Sequence, residues 1–112
     1  MNEERFAMMK KGSILINTAR GEVVKNEALL EALKSGQIAA AGLDVLALEP
    51  VKEDNIVVKA MKNDGELAEK IVLAPHIGGL TVQTFDKIYG TIWSNFKKVC
   101  AGETPVNIVN HP

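Results

Sequence analysis

Cysteine occurs once in these 112 residues, as Cys100. A single thiol excludes an internal disulfide framework and a four-thiolate zinc site. It is also the usage expected in a reducing compartment. Aromatic side chains are scarce, at 4%, which leaves no platform for stacking nucleobases. An excess of one charge is missing as well: 13 basic and 14 acidic side chains give a net charge of −1. That balance offers no electrostatic grip on a nucleic-acid backbone. No apolar run approaches the ~20 residues that a membrane span requires. The opening Met1-Asn2-Glu3-Glu4-Arg5 is the opposite of a secretory signal, which is basic and then apolar. These absences together lead us to expect a cytoplasmic protein with neither nucleic acid nor membrane as partner.

What is present is an ordinary globular composition, 46% hydrophobic and 24% charged, in a chain long enough to bury roughly two thirds of its unfolded surface. No internal repeat or low-complexity tract interrupts it. Asn2 is placed to cap a short helix running to about Lys10, with Glu3 and Glu4 at its positive end and Phe6, Met9 and Met8 expected to face inward. Ile14-Leu15-Ile16 is a short apolar run between turn residues and reads as a buried strand. A helix follows from Asn26 to about Ser35, with Leu29, Leu30 and Leu33 as its stripe and Gly36 as its stop. Ile38 to Val45 reads as a second buried strand, whose small residues Ala39, Ala40, Ala41 and Gly42 predict that a backbone or helix packs closely on it. Residues 51–70 are polar and carry the turn signal Asn63-Asp64-Gly65, which predicts a surface excursion with one or two helical turns. Ile71 to Ala74 is a third short strand closed by Pro75. From Thr81 to about Ala101, apolar residues recur at spacings of three and four, and Gly102 ends this strongest helix.

Strands separated by helical connections predict a parallel α/β sheet. In such a sheet all carboxyl ends lie along one edge, where open α/β folds bind ligands. Three strand ends here carry chemistry. Asn17-Thr18-Ala19-Arg20-Gly21 follows the first, Asp44 and then Glu49-Pro50 the second, and Pro75-His76-Ile77-Gly78-Gly79 the third. Each residue alone has a bland reading. Arg20 could be a surface ion pair, His76 a structural histidine, Glu49 a solvated loop acid, and Gly78-Gly79 a simple turn. Asp44 is the odd one, because an acid ending an apolar strand needs a partner or a ligand. The convergence of all of them on one edge points to a site.

The stretches Leu15-Ile16-Asn17-Thr18-Ala19-Arg20-Gly21, Ala41-Gly42-Leu43-Asp44-Val45 through Glu49-Pro50, and Ala74-Pro75-His76-Ile77-Gly78-Gly79 resemble the signatures of the NAD-dependent D-isomer-specific 2-hydroxyacid dehydrogenases. The resemblance runs from the helix before the first strand to the tail Pro105-Val106-Asn107-Ile108-Val109-Asn110. It implies the second half of a Rossmann-type parallel sheet, of three strands with crossover helices, plus a long C-terminal helix. Residues 1–80 would be the C-terminal half of the NAD(P)-binding domain, and 81–112 the helix and tail returning toward a substrate domain.

By the same resemblance, Arg20 would bind the carboxylate and carbonyl of a small 2-keto or 2-hydroxy acid. His76 would be the acid/base, and Glu49 would hydrogen-bond it. Asp44 would lie against the nicotinamide carboxamide of NAD, with Thr18, Ala19, Gly78 and Gly79 lining that site. Arg20 and His76 would also border the cofactor, and no metal is implied. The residue types suit the chemistry. Keto-acid reduction needs a proton from the protein, a histidine titrates near neutrality, and arginine grips a carboxylate with two prongs.

The nine glycines include no G-x-G-x-x-G, so the pyrophosphate turn and the ribose site that chooses NAD or NADP are not in this stretch. The chain is therefore expected to be inactive alone. Two departures from the family pattern stand out. Lys25 occupies a position where an acidic cap is usual, with Asn26 expected to cap one residue later, and the connection from Glu49 to His76 is long and polar. Without a preceding strand to pair with, the first strand would leave an apolar edge, and the stripe with Trp93 and Phe96 would seek a partner. Association or domain exchange is the resulting expectation, and homodimerisation or higher association is what the family resemblance implies. A different class of function, a non-catalytic binding or oligomerisation module that kept the fold, is the alternative. The presence of Arg20, Glu49 and His76 together argues against it.

Overall fold

A computed structural model describes residues 1–109; Asn110, at the end of the tail motif, lies outside them. Strands β1 (Ser13–Asn17), β2 (Ile38–Leu43) and β3 (Ile71–Leu73) form one sheet in the order β1-β2-β3, with both pairings parallel. Helices α1 (Glu3–Ala7), α2 (Asn26–Lys34), α3 (Ile56–Asn63), α4 (Gly65–Lys70) and α5 (Val82–Cys100) complete it, with a single 3-10 turn at Gly21–Val23. The chain divides into two compact units, Met1–Gly78 and the part from Gly79 onward.

In the first unit the core forms where one face of the sheet meets α1, α2, α3 and α4. Leu29, Leu33, Ile38 and Val57 are fully buried, with Phe6, Ala41, Leu43, Leu67 and Ile71 around them. The register explains the choice of face. Leu15 pairs with Ala41 and Ala41 with Ile71, so these three point together into the core. Ile14, Ile16 and Val72 point the other way and stay exposed, Ile16 at 66%. The first strand is thus buried on one face, not on both as its continuous apolar run suggested. At Gly42 of β2 an added Cβ would meet the tip of the Ile16 side chain on the adjacent strand, 2.8 Å from Cδ1, and neither of the expected backbone or helix neighbours.

Several boundaries differ from expectation. The Asn2 side chain does cap α1, accepting from Arg5 N at 3.1 Å, but the helix ends at Ala7 with Met8 exposed. Gln37 supplies the reason: its amide nitrogen, Nε2, donates to the Phe6 and Met9 carbonyls at 3.1 and 2.8 Å. Carbonyls that a longer helix would have bonded are satisfied from another element. Asn26 does not cap α2. It is the first helical residue, and Lys25 holds the cap position without a side-chain cap bond while its ammonium pairs with Glu3 at 3.3 Å. Strand β2 stops at Leu43, although Asp44 and Val45 remain buried.

The largest correction concerns residues 51–70. They are no surface excursion: α3 and α4 fill most of the segment, and Val57 and Leu67 enter the core. The Asn63-Asp64-Gly65 turn signal marks the joint between them. Asp64 Oδ1 accepts from Glu66 N and Leu67 N at 3.1 and 3.2 Å, capping α4 as α3 ends.

The second unit is dominated by α5. Thr81 caps it, its hydroxyl accepting from Thr84 N at 3.1 Å, and Gly102 leaves it with φ of +74°. Asn95 ties the tail to the helix, donating to Val106 O at 3.1 Å and accepting from Val106 N at 2.9 Å. None of α5's residues is buried. No helix among the described residues is long and apolar enough to cross a membrane.

The two sheet faces make unequal demands on their side chains. Leu33→Ala, which empties a site of 0% exposure, is expected to cost about 2–5 kcal/mol in urea unfolding. Ile16→Ala is expected to cost under about 1 kcal/mol. Equal losses would show that the assignment of faces is wrong.

Candidate active site

Because the strands are parallel, their three following loops meet at one edge. The first is shaped by Asn17, which is 5% exposed. Its Nδ2 donates to Arg20 O at 2.9 Å and its Oδ1 accepts from Ala19 N at 3.1 Å, closing Thr18–Arg20 into a tight turn. Arg20 leaves the turn extended (φ −147°, ψ 145°) with its side chain exposed. Gly21 follows and is buried. A Cβ there would stand 1.9 Å from Leu46 C and 2.1 Å from Ala47 N. Backbone therefore rests on backbone, and only glycine permits it.

The second loop begins at Asp44, 8% exposed. Its Oδ1 accepts from Ile77 N at 2.9 Å and its Oδ2 from Gly78 N at 2.8 Å. The Asp44 carbonyl accepts from His76 N at 2.8 Å. The third loop is thus fastened to the second through three backbone N–H groups. His76 itself has φ of +55°, a left-handed conformation that side chains seldom adopt. Further along the second loop, past Leu48 at φ +65° and before the cis Glu49-Pro50 bond, Glu49 returns to the edge. Its Oε1 accepts from Leu46 N at 3.1 Å and its Oε2 meets His76 Nδ1 at 2.5 Å.

That pairing has an electrostatic consequence. The hydrogen bond from His76, then the one from Leu46 N–H, hold the Glu49 carboxyl below its ordinary range, with the nearby Arg20 charge adding to the effect. Glu49 is therefore anionic at neutral pH and occupies Nδ1, which leaves Nε2 as the histidine nitrogen free to exchange a proton.

Arg20, Glu49 and His76 line a single cleft of about 250 Å³, floored by Gly21, Val45 and Leu46. Asp44 stands directly behind His76, with Gly78 against its carboxylate. Thr18 and Ala19 sit on the exposed turn. Gly79 opens the second unit, and a Cβ there would meet nothing within 4 Å. A larger hollow of about 590 Å³ lies between the start of α2 and residues 47–56. It includes Glu49 but neither Arg20 nor His76, so the smaller cleft is the one with convergent chemistry. Among the described residues no cluster of histidine, cysteine and carboxylate side chains is arranged to hold a metal.

This geometry can be set beside known proteins. A family model described as "D-isomer specific 2-hydroxyacid dehydrogenase, NAD binding domain" matches residues 1–78. The chain belongs to that family. It is 42% identical over 110 residues to the glyoxylate reductase of Thermofilum pendens, covering 98% of this chain and 30% of that protein. Among solved structures, it is similar to a D-isomer specific 2-hydroxyacid dehydrogenase from Xanthobacter autotrophicus Py2 in complex with NADPH and MES. That match has a TM-score of 0.76 at 34% identity and covers 98% of this chain and 41% of the other. It is also similar to a D-lactate dehydrogenase with NAD+ from Lactobacillus jensenii, at TM-score 0.67 and 33% identity, covering 99% and 35%. The chain thus spans about a third of the length of the relatives it matches. The three-stranded parallel sheet with its connecting helices is the Rossmann-like arrangement of this dehydrogenase family.

Two residues that build the site in this 2-hydroxyacid dehydrogenase domain escaped the sequence reading as separate elements. Asn17 was legible by the argument that singled out Asp44, since it is also polar at the end of an apolar strand. Gly21 had no local signal, because the backbone it accommodates lies 25 residues away.

Gly21→Ala is expected to lower stability by more than about 2 kcal/mol in urea unfolding, through forced separation of two backbone segments. Wild-type-like stability would refute the close approach. Carbon-detected NMR titration is expected to place the Glu49 midpoint below the ordinary 4.5. The sign follows from linkage: its stabilisation is fully present above the ordinary value and fades as pH falls through the depressed one. His76→Ala removes the largest cause and is expected to move that midpoint upward.

Proposed function

We propose that this chain supplies the substrate-binding and proton-transfer part of an NAD(P)-dependent dehydrogenase that interconverts a small D-2-hydroxy acid and its 2-keto acid. The observation that carries the reading is the arrangement of Arg20 and a Glu49-paired His76 around one cleft of about 250 Å³. The names of its relatives, glyoxylate reductase and D-lactate dehydrogenase, are of this reaction class.

The residues fit the nicotinamide end of such a cofactor. Gly78 keeps the space beside Asp44 Oδ2 clear, since a Cβ there would intrude to 2.8 Å. Each Asp44 oxygen accepts one backbone N–H and retains acceptor capacity for a carboxamide. Thr18, Ala19, Arg20, His76, Gly78 and Gly79 complete the set that would border the ring. NADH or NADPH, when bound, supplies the hydride.

The chain's own residues do the rest. Arg20 holds the substrate carboxylate through paired N–H donors and turns the keto carbon toward the ring. His76 Nε2 faces the keto oxygen and delivers a proton as negative charge develops there. Glu49 keeps the imidazole oriented by occupying Nδ1. In the reverse direction His76 Nε2 accepts the hydroxyl proton.

The test completes the chain with the upstream portion of the Thermofilum pendens glyoxylate reductase and follows NADH oxidation by glyoxylate. Turnover is expected from the completed protein. His76→Ala is expected to lower kcat by about 10²- to 10⁴-fold, and Arg20→Gln to act mainly on KM. Unchanged kinetics in both variants would overturn the assignment. Fluorescence titration of the 112-residue chain alone with NADH is expected to show no saturable binding, because the pyrophosphate turn is not in it.

A further inference from the structure

Among the described residues the core contains two buried polar side chains, Asn17 and Asp44. They occupy equivalent places, at the carboxyl ends of adjacent parallel strands. Asp44 N donates to Asn17 O at 2.9 Å, so the two strand ends are linked directly. Asp44 fastens the loop that carries His76. In the loop that carries Arg20, the Asn17 amide bonds Ala19 N and Arg20 O, and Val23 N also donates to Arg20 O at 3.4 Å. The Arg20 side chain donates from Nη1 to Ala19 O at 2.6 Å, a bond within the same turn, and among the described residues no carboxylate lies within salt-bridge distance of its guanidinium.

We infer that Asn17 is a positioning residue for substrate-carboxylate capture: its buried amide, bonded to both Ala19 N and Arg20 O, sets the direction in which the Arg20 side chain leaves the loop. The inference rests on the reading of Arg20 given above and deepens it. The logic is geometric. The Asn17 amide holds the peptide group that precedes Ala19 and the one that follows Arg20, so the turn that sets the Cα–Cβ direction of Arg20 is braced by a group inside the protein. Gly21 then blocks relaxation in the other direction, because the backbone of Leu46 and Ala47 lies against it. A bidentate grip on a carboxylate tolerates little misdirection. Asparagine suits the place because it is both donor and acceptor and carries no charge into a buried site.

Two substitutions separate the two bonds. Asn17→Ala removes both. Asn17→Asp keeps an acceptor for Ala19 N–H and the side-chain volume, but sets a carboxylate oxygen against the Arg20 carbonyl. In this chain, solvent exchange of the Ala19 amide is read by NMR, with the methyl signals of Leu29 and Leu33 reporting that the core is intact. Exchange is expected to rise roughly tenfold in Asn17→Ala, the size of one net hydrogen bond, and to stay near wild type in Asn17→Asp. In the completed enzyme, both variants are expected to raise the KM for glyoxylate about tenfold or more while kcat falls less, the pattern of lost carboxylate binding. A generally weakened fold would change neither in that ratio.

Arg20→Gln is measured alongside. If it raises KM and the Asn17 variants do not, the positioning role is overturned and the reading of Arg20 stands. If Arg20→Gln leaves KM unchanged, the reading of Arg20 fails, and the Ala19 exchange rates still decide whether Asn17 holds the turn. Unchanged Ala19 exchange in Asn17→Ala overturns the inference by itself.

Discussion

The buried carboxylate of Asp44 holds the candidate site together. Two backbone N–H groups, of Ile77 and Gly78, point into its two oxygens, and its own carbonyl takes a third from His76. Hydrogen bonds to a charged acceptor are worth about 1.5–3 kcal/mol each, and a buried anion deprived of them is costly. Charge burial and loop placement are therefore one constraint. The carboxylate is stable where it is only if the third loop comes to it, and the third loop carries the histidine. The same attachment accounts for the left-handed backbone at His76, a conformation that persists where surrounding bonds over-determine it.

The other two loops are joined by equally direct means. Gly21 lets the Arg20 loop rest on the backbone of Leu46 and Ala47, and Leu46 in turn gives its N–H to Glu49. Glu49 closes the circuit to His76. Arg20 and His76 are thus set by backbone contacts one or two residues away, whereas Glu49 is held through its own carboxylate. Under the proposed function, preorganisation of this kind would keep the acid/base and carboxylate-binding groups in place.

Much of this was legible in the chain. The strand–helix alternation implied a parallel sheet, and that in turn implied that residues near positions 20, 44–49 and 76 would share an edge. Asp44 stood out because a charge at the end of an apolar strand demands partners. Other features were not legible, for physical reasons. A run such as Ile14-Leu15-Ile16 is apolar at every position, so it does not reveal whether one face or both will be covered. The polar segment 51–70 hid two helices because Val57 and Leu67 reach the core from an otherwise charged stretch, and short helices owe their stability to packing more than to propensity. Asn26 had the chemistry of a cap, but the chain enters α2 one residue earlier, where Lys25 pairs with Glu3.

The sequence alone determined the class of fold, the edge at which chemistry gathers, and the residue types available there. Those follow from periodicity and from the order of apolar and reactive segments, which are local properties. Only the tertiary structure decided that Glu49 reaches His76 across a 27-residue separation, that Asp44 spends its oxygens on the third loop, and that Gly21 must be glycine. Such facts depend on distances between segments remote along the chain. Those distances are set by how the helices pack on one face of the sheet, and no local pattern of residues encodes them.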